Sequence, residues 1–220
     1  MVKHGRILYS DTDFDTKFNA FLDSECTSIT YCSVAEINFK KHLSKVLSPV
    51  TEITNESAFP FQNNYKTPKT LGVDRLVACT GALSLSKNSP ILVIDIGTCI
   101  TYDYVDDKNV YQGGPISPGI ALRAKSMHNY TANLPLVNLS LDKSPTQTMS
   151  TENALKMGIT KGISFELNGF ISEYLELNPN LKVFLTGGDA IFFEDALKNS
   201  IFAVENLNLI GLNQLLLLNE

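Results

Sequence analysis

An almost wholly apolar run, Pro90 to Ile94, empties into Asp95-Ile96-Gly97-Thr98 and is followed at once by Cys99-Ile100-Thr101-Tyr102-Asp103-Tyr104-Val105. In the second stretch polar residues recur at every other position, the period of a strand with two unlike faces. Two such runs joined by so short a connection make a β-hairpin whose turn is open to a ligand. The residue types at that turn suit phosphate and metal. Gly97 lets the main chain approach an anion with no Cβ in the way. Thr98 adds a hydroxyl donor, and Asp95 supplies oxygen ligands for a hydrated cation. An ordinary hairpin has the same pattern, so the turn by itself leaves both readings open.

The rest of the chain narrows the class. With 220 residues, 44% of them apolar, it has room for one large domain or two small ones. A net charge of -5 and a pI near 5.2 argue against a nucleic-acid partner, whose phosphates must be met by clustered Lys and Arg. Met1-Val2-Lys3-His4-Gly5 has no apolar signal core, and no stretch approaches the roughly 18 apolar residues of a membrane span. We therefore expect a cytoplasmic protein with no membrane partner. Cys26, Cys32, Cys79 and Cys99 are scattered and the three histidines lie far apart, which predicts free, mostly buried thiols rather than a zinc or redox motif.

Ahead of the hairpin, a strand is expected at Gly5–Ser10, a helical segment up to Asp23, a strand at Ser28–Val34, a helix at Phe39–Leu47 and a strand at Val50–Thr54. The polar, aromatic-studded stretch from Pro60 to Pro68 reads as a loop. Gly72-Val73-Asp74-Arg75 opens a helix that runs through Ser86. Beyond the hairpin come a helix around Asn153–Leu177, a strand at Lys182–Thr186, and a final strand and helix from Ile201 to Leu218. Strands alternating with helices predict an α/β fold.

Further turns stand where chemistry is done. Thr186-Gly187-Gly188-Asp189-Ala190 follows the apolar strand Val183-Phe184-Leu185, so paired glycines sit where a sheet feeds a helix start, a place that suits nucleotide and equally suits a tight connection. Gln112 to Ile120 is a second glycine-rich turn, either a substrate wall or punctuation. Asp74 at a helix start is favoured as a cap whatever else it does. With Arg75 beside it and Tyr65 in the preceding loop, it also brings a base, a cation and a phenol toward one place. Ser150-Thr151-Glu152-Asn153 reads as an N-cap.

Taken in order, these stretches resemble the type III pantothenate kinases of the actin-like acetate and sugar kinase superfamily. Tyr65 to Arg75 is similar to the family's Tyr-x-x-Pro-x-x-Leu-Gly-x-Asp-Arg, and Asp95 to Asp103 to its Asp-x-Gly-Thr-x-x-Thr-x-Asp. Gly113 to Gly119, Ser150 to Gly158 and Thr186 to Ala190 resemble its Gly-Gly-x-Ile-x-Pro-Gly, Thr-x-x-Ala-x-x-x-Gly and Thr-Gly-Gly-Asp-Ala. Cys99 stands where the family usually has alanine, and Pro115 is unusual in its turn. The resemblance implies two ribonuclease H-like (actin-like ATPase) domains with mixed sheets flanked by helices, residues 1–88 and 89–220. It implies ATP-dependent phosphorylation of the primary hydroxyl of pantothenate, the first step of coenzyme A biosynthesis, by a homodimer whose site is completed across the subunit interface. Carried over residue by residue, it makes Asp74 the base and Tyr65, Gly72, Val73, Arg75 and Thr151 the pantothenate pocket. Thr98 and Gly97 then face ATP, Gly187 and Gly188 lie near adenosine, and Asp95 holds a monovalent cation, potassium or ammonium, beside the Mg2+ that accompanies ATP.

The same resemblance raises an expectation about the start of the chain. The family opens with a strand ending in Asp-x-Gly-Asn-Thr, and this sequence begins as if just after it. We read this as a first domain truncated at its N-terminus through a misassigned start, the alternative being a non-catalytic pantothenate-binding or regulatory remnant.

Overall fold

The computed structural model describes residues 14–21, 28–34, 42, 49–86, 89–139, 147–197 and 201–219. The strand expected at Gly5–Ser10 and nearly all of the helix expected at Phe39–Leu47 lie outside the described residues.

The expected hairpin is the centre of a mixed seven-stranded sheet. Strand β4 (Ile91–Ile96) pairs antiparallel with β5 (Cys99–Val105) and parallel with β8 (Lys182–Thr186), which pairs parallel with β9 (Ile201–Ala203). On the other side, β5 is lined by two short strands end to end. β6 (Val110–Gly113) pairs with its later half, β7 (Ile116–Pro118) with its first three residues, and the Tyr102 N–H donates to Pro115 O at 3.0 Å across the break. β3 (Gln62–Asn63) adds a parallel edge to β6. A separate parallel pair joins β1 (Ile29–Tyr31) to β2 (Val50–Glu52), and α1 covers Phe14–Phe21. Sequence reading placed a loop across β3 and a turn across β7. Both are too short to carry a readable period and exist because an edge of the main sheet offers them partners.

Helices cover both faces, as the α/β expectation requires. Alternation sends Leu92, Ile94, Ile96, Ile100 and Tyr102 to one side, where they meet α3 (Ile120–Asn129) and α4 (Thr151–Leu177). Helix α4 contributes Leu155, Ile159, Ile163, Leu167 and Ile171, a buried residue at every fourth position, which is one stripe of a helix. Each such side chain, fully buried, contributes about 1.5–3 kcal/mol. The opposite face, with Ile91, Val93, Val105 and Phe184, packs on α2 (Val73–Ser86). Helix α2 is buried on nearly every side because α5 (Leu207–Asn219) and the β1–β2 pair cover its back through Val77, Leu215 and Ile53. A helix held this way cannot rotate, which fixes where its first turn points.

Candidate active site

The register places a polar row on the α2 face of the sheet. Asp95 is paired with Thr101 on β5 and with Thr186 on β8, and cross-strand partners project to the same side, so these three side chains line up across three strands. One step further along, Asp103 lies opposite Val93 on the same face. The carboxylates of Asp95 and Asp103 therefore stand under the start of α2, where Asp74 and Arg75 occupy the first turn.

Arg75 is 6% exposed and its guanidinium points into the sheet rather than toward solvent. Its Nε donates to Asp103 Oδ1 at 2.8 Å, and Nη2 donates to Gly114 O at 3.1 Å and to Tyr102 O at 3.4 Å. Asp103, 1% exposed, also accepts from the Tyr111 hydroxyl at 2.6 Å. Burial pushes the Asp103 carboxyl up, opposed by the Arg75 charge and by hydrogen bonds from Tyr111 and Thr101. Asp74, half-buried, accepts from its neighbour's main chain, Arg75 N to Oδ1 at 2.9 Å. The sequence paired Asp74 with Arg75 as neighbours. The structure gives them separate tasks, with Arg75 anchoring the turn and Asp74 left outside that buried ion pair.

Asp95 feels Asp74 directly. Burial first, then the charges of Asp74 and Asp103, push its carboxyl from the ordinary 3.8 to about 6. Burial and then Asp74 likewise push the Cys32 thiol up to about 11, which places a protonated thiol beside that aspartate, a neighbour no motif announced. A group whose folded value is raised favours the folded state fully below its ordinary value and loses that contribution as the pH climbs through about 6. In buffer free of potassium and ammonium we therefore expect Asp95→Asn to raise Tm by about 2–4 °C near pH 8, with the gain shrinking as the pH falls through about 6 and vanishing only below the ordinary 3.8. A melting curve lowered at the higher pH overturns the assignment of Asp95 as a half-buried acid crowded by like charges.

Two glycines let the walls close. Gly187 has φ +99, and a Cβ there would lie 2.4 Å from Asp95 Oδ1. The Gly187–Gly188 turn is thus stacked directly on the Asp95 strand end, with Asp189 N donating to Ile96 O at 3.0 Å. Gly113, at φ +76, brings the backbone under the ring of Tyr65, 2.8 Å from where a Cβ would sit. The Gly97–Thr98 turn is closed by Gly97 N donating to Cys99 O and by Gly119 N donating to Thr98 O, both at 3.0 Å, and it leaves the Thr98 side chain exposed.

So Asp74 and Arg75 stand over the sheet face that carries Asp95, with the turns at Gly97–Thr98 and Gly187–Gly188 at its end, whereas Tyr65 lies over Gly113, opposite Tyr104 near the other end of β5. Gly72 and Val73 line a cleft of about 370 Å³ with Val34, Thr54 and Lys69, just ahead of Asp74. A second cleft, about 400 Å³, runs between Ile120, Ala124, Val137, Asp189 and Phe192 beside the glycine turn. Asp74 and Asp95 line neither cleft. Thr151 is exposed at the first position of α4, behind the Ser150 cap that accepts from Asn153 N at 3.2 Å, and no contact joins it to the others among the described residues. No set of three or more His, Cys, Asp or Glu side chains among the described residues comes together as a metal cluster. Nor is any helix there long and apolar enough to cross a membrane.

A family model for type III pantothenate kinase matches residues 8–173, three quarters of the chain, and so spans the hairpin, the α2 start and the start of α4 together. The chain belongs to the type III pantothenate kinase family. Among relatives of that name, one from Flavobacterium psychrophilum is 50% identical over 163 residues, covering 74% of this chain and 67% of the relative. Another, from Flavobacterium johnsoniae, is 44% identical over 191 residues, covering 86% and 78%. A crystal structure of a Campylobacter jejuni protein, described as a Baf family transcriptional activator, is 28% identical, with a TM-score of 0.56 over 90% of this chain and 86% of that one. For a type III pantothenate kinase the α2 turn, the hairpin and the glycine turn were readable as motifs. The residues that tie them together, Tyr111 and the cluster of side chains around Glu166, were not.

Proposed function

We propose that this chain transfers the γ-phosphoryl group of ATP to the primary hydroxyl of pantothenate, giving 4'-phosphopantothenate, the first step of coenzyme A biosynthesis. The observation that carries the proposal is the placement of Asp74: clamped through Arg75 and Asp103, half-buried, and close enough to Asp95 to shift it. Phosphoryl transfer needs little covalent chemistry from a protein, so positioning and charge stabilisation account for most of the rate. In this reading Asp74 takes the hydroxyl proton late, as the phosphoryl group arrives. The Gly97 main chain and the Thr98 hydroxyl hold the phosphates. Gly187 and Gly188 leave flat backbone for adenosine, and Tyr65, Gly72 and Val73 wall the pantothenate pocket, with Arg75 bracing it from beneath through Asp103 and Thr151 joining in the assembled protein.

The raised Asp95 fits a cation, since an acid crowded by burial and two like charges is relieved by a positive partner. Asp95 would hold potassium or ammonium, and these ions together with Mg2+ would supply positive charge to offset that of the phosphates. We further propose that the chain comprises two ribonuclease H-like domains, residues 1–88 and 89–220, and acts as a cytoplasmic homodimer with the site completed across the subunit interface. A coupled ADP-release assay with ATP, Mg2+ and potassium tests the reading. ADP release that depends on pantothenate, and not on acetate or small sugars, is expected. Equal release with the other acceptors assigns the fold a different substrate.

A further inference from the structure

Glu166 lies midway along α4, in a stretch that the sequence motifs do not reach. Its carboxylate gathers donors from three separate elements. Oε1 accepts from the Tyr102 hydroxyl on β5 at 2.8 Å and from the Ser117 hydroxyl on β7, and Oε2 accepts from the Arg123 guanidinium on α3. Arg123 in turn donates through Nε to Pro118 O at 2.7 Å. Burial pushes the Glu166 carboxyl up, but hydrogen bonds from Ser117, Arg123 and Tyr102 and the Arg123 charge hold it below its ordinary value. It is an ionised hub at neutral pH.

Every donor in the hub is a short walk from the Gly97–Thr98 turn. Ser117 and Pro118 immediately precede Gly119, whose N–H donates to Thr98 O at 3.0 Å, and the Arg123 N–H donates to Gly119 O at 3.0 Å. β7 itself has only three residues, pairing Cys99 with Pro118, Ile100 with Ser117 and Thr101 with Ile116. A ladder that short frays on its own. The side chain from α4 fastens it to the sheet and to the first turn of α3 at once.

We infer that Glu166 is a positioning residue for the phosphate turn: by fastening β7 and α3 through Ser117, Arg123 and Tyr102, it holds Gly119 against Thr98 and presets the turn for nucleotide phosphates. This rests on the reading of Gly97–Thr98 as the ATP-facing turn. Preorganised donors bind phosphate without being ordered at that moment, so loosening the hub costs nucleotide affinity rather than the chemical step. The Arg123–Glu166 pair is 21% exposed at each partner, so its loss leaves no fully buried charge and the variants are expected to fold.

The test compares Glu166→Gln, Arg123→Lys and Thr98→Ala with the unaltered chain, by amide hydrogen exchange and by steady-state kinetics. Glu166→Gln is expected to speed exchange at the Gly119 amide about ten-fold while amides of β4 and β8 keep their protection. KM for ATP is expected to rise roughly three- to ten-fold, with kcat and KM for pantothenate within about two-fold. Arg123→Lys, which keeps the charge but loses the fork, gives part of the same rise. Unchanged exchange at Gly119 overturns the inference. So does a KM for ATP that moves in Thr98→Ala but not in Glu166→Gln, or a change in which kcat, both KM values and Tm all fall off together. A Thr98→Ala variant with unchanged KM for ATP shows instead that the turn does not face the phosphates, and the inference falls with that reading.

Discussion

Replacing Asp74 with asparagine is expected to lower kcat by about 10²–10⁴-fold, the usual contribution of a positioned base, with Tm and both KM values nearly unchanged. The reason is geometric. What the first turn of α2 asks of residue 74 is an oxygen that accepts from Arg75 N, now at 2.9 Å, and the amide of asparagine retains one. The anchor of the turn is the neighbouring Arg75, held by Asp103 and the carbonyls of Gly114 and Tyr102, and it is untouched. What asparagine cannot do is accept the hydroxyl proton of the substrate. The variant also carries an internal control. Asp74 is the second cause, after burial, of the raised values of both Asp95 and Cys32, so removing its charge lets the Asp95 carboxyl descend from about 6 and the Cys32 thiol from about 11. NMR titration of Asp95 reads this without any turnover. A variant that shows the Asp95 shift and keeps full kcat retains the site geometry and excludes Asp74 as the base.

That control exists only because strand register brings distant residues under one helix, and register is where sequence reading stops. The hairpin at residues 91–105 was legible from its apolar first strand and alternating second strand, and the glycine turn after β8 from the strand ahead of it. Even the alignment of Thr101 with Asp95 follows from a hairpin. The parallel pairing of β4 with β8 does not, because nothing local says which of several strands lies beside Ile91–Ile96. Yet that pairing stacks Gly187 on Asp95 and completes the polar row with Thr186. Glu166 was illegible for a different reason. On a helix with buried residues at 163 and 167, a glutamate between them reads as solvated, and its three partners lie 64, 49 and 43 residues away in sequence. The Arg75–Asp103 pair spans 28 residues, and its two members sat in separate motifs. Motifs drew attention to turns with unusual residue types. The residues that hold the turns in place are ordinary ones whose meaning comes from long-range contact.

The largest effect on stability belongs to that same pair. Asp103→Leu leaves the Arg75 guanidinium, 6% exposed, without its counter-charge, and leaves the Tyr111 hydroxyl, on a fully buried ring, without its acceptor. Breaking a buried ion pair from one side costs about 3–5 kcal/mol, because the remaining charge keeps its desolvation cost and loses the attraction that offset it. A loss of that size is a large share of the roughly 5–15 kcal/mol that stabilises a typical domain. Removing both partners is a different experiment. Arg75→Met with Asp103→Leu takes away the stranded charge as well, and two apolar side chains in that space recover much of the loss. In urea unfolding we expect the double variant to be more stable than Asp103→Leu alone, a coupling between the sites of about 1–3 kcal/mol. Additive losses in the double variant refute a direct pairing. Asp103→Leu, where it folds, is also expected to lose kcat even though residue 103 is only 1% exposed, since the turn that carries Asp74 has lost its anchor. The double variant then separates the two roles, because stability returns while kcat does not: a methionine at position 75 fills the space but cannot reach the carbonyls of Gly114 and Tyr102 with a donor, and so cannot aim Asp74.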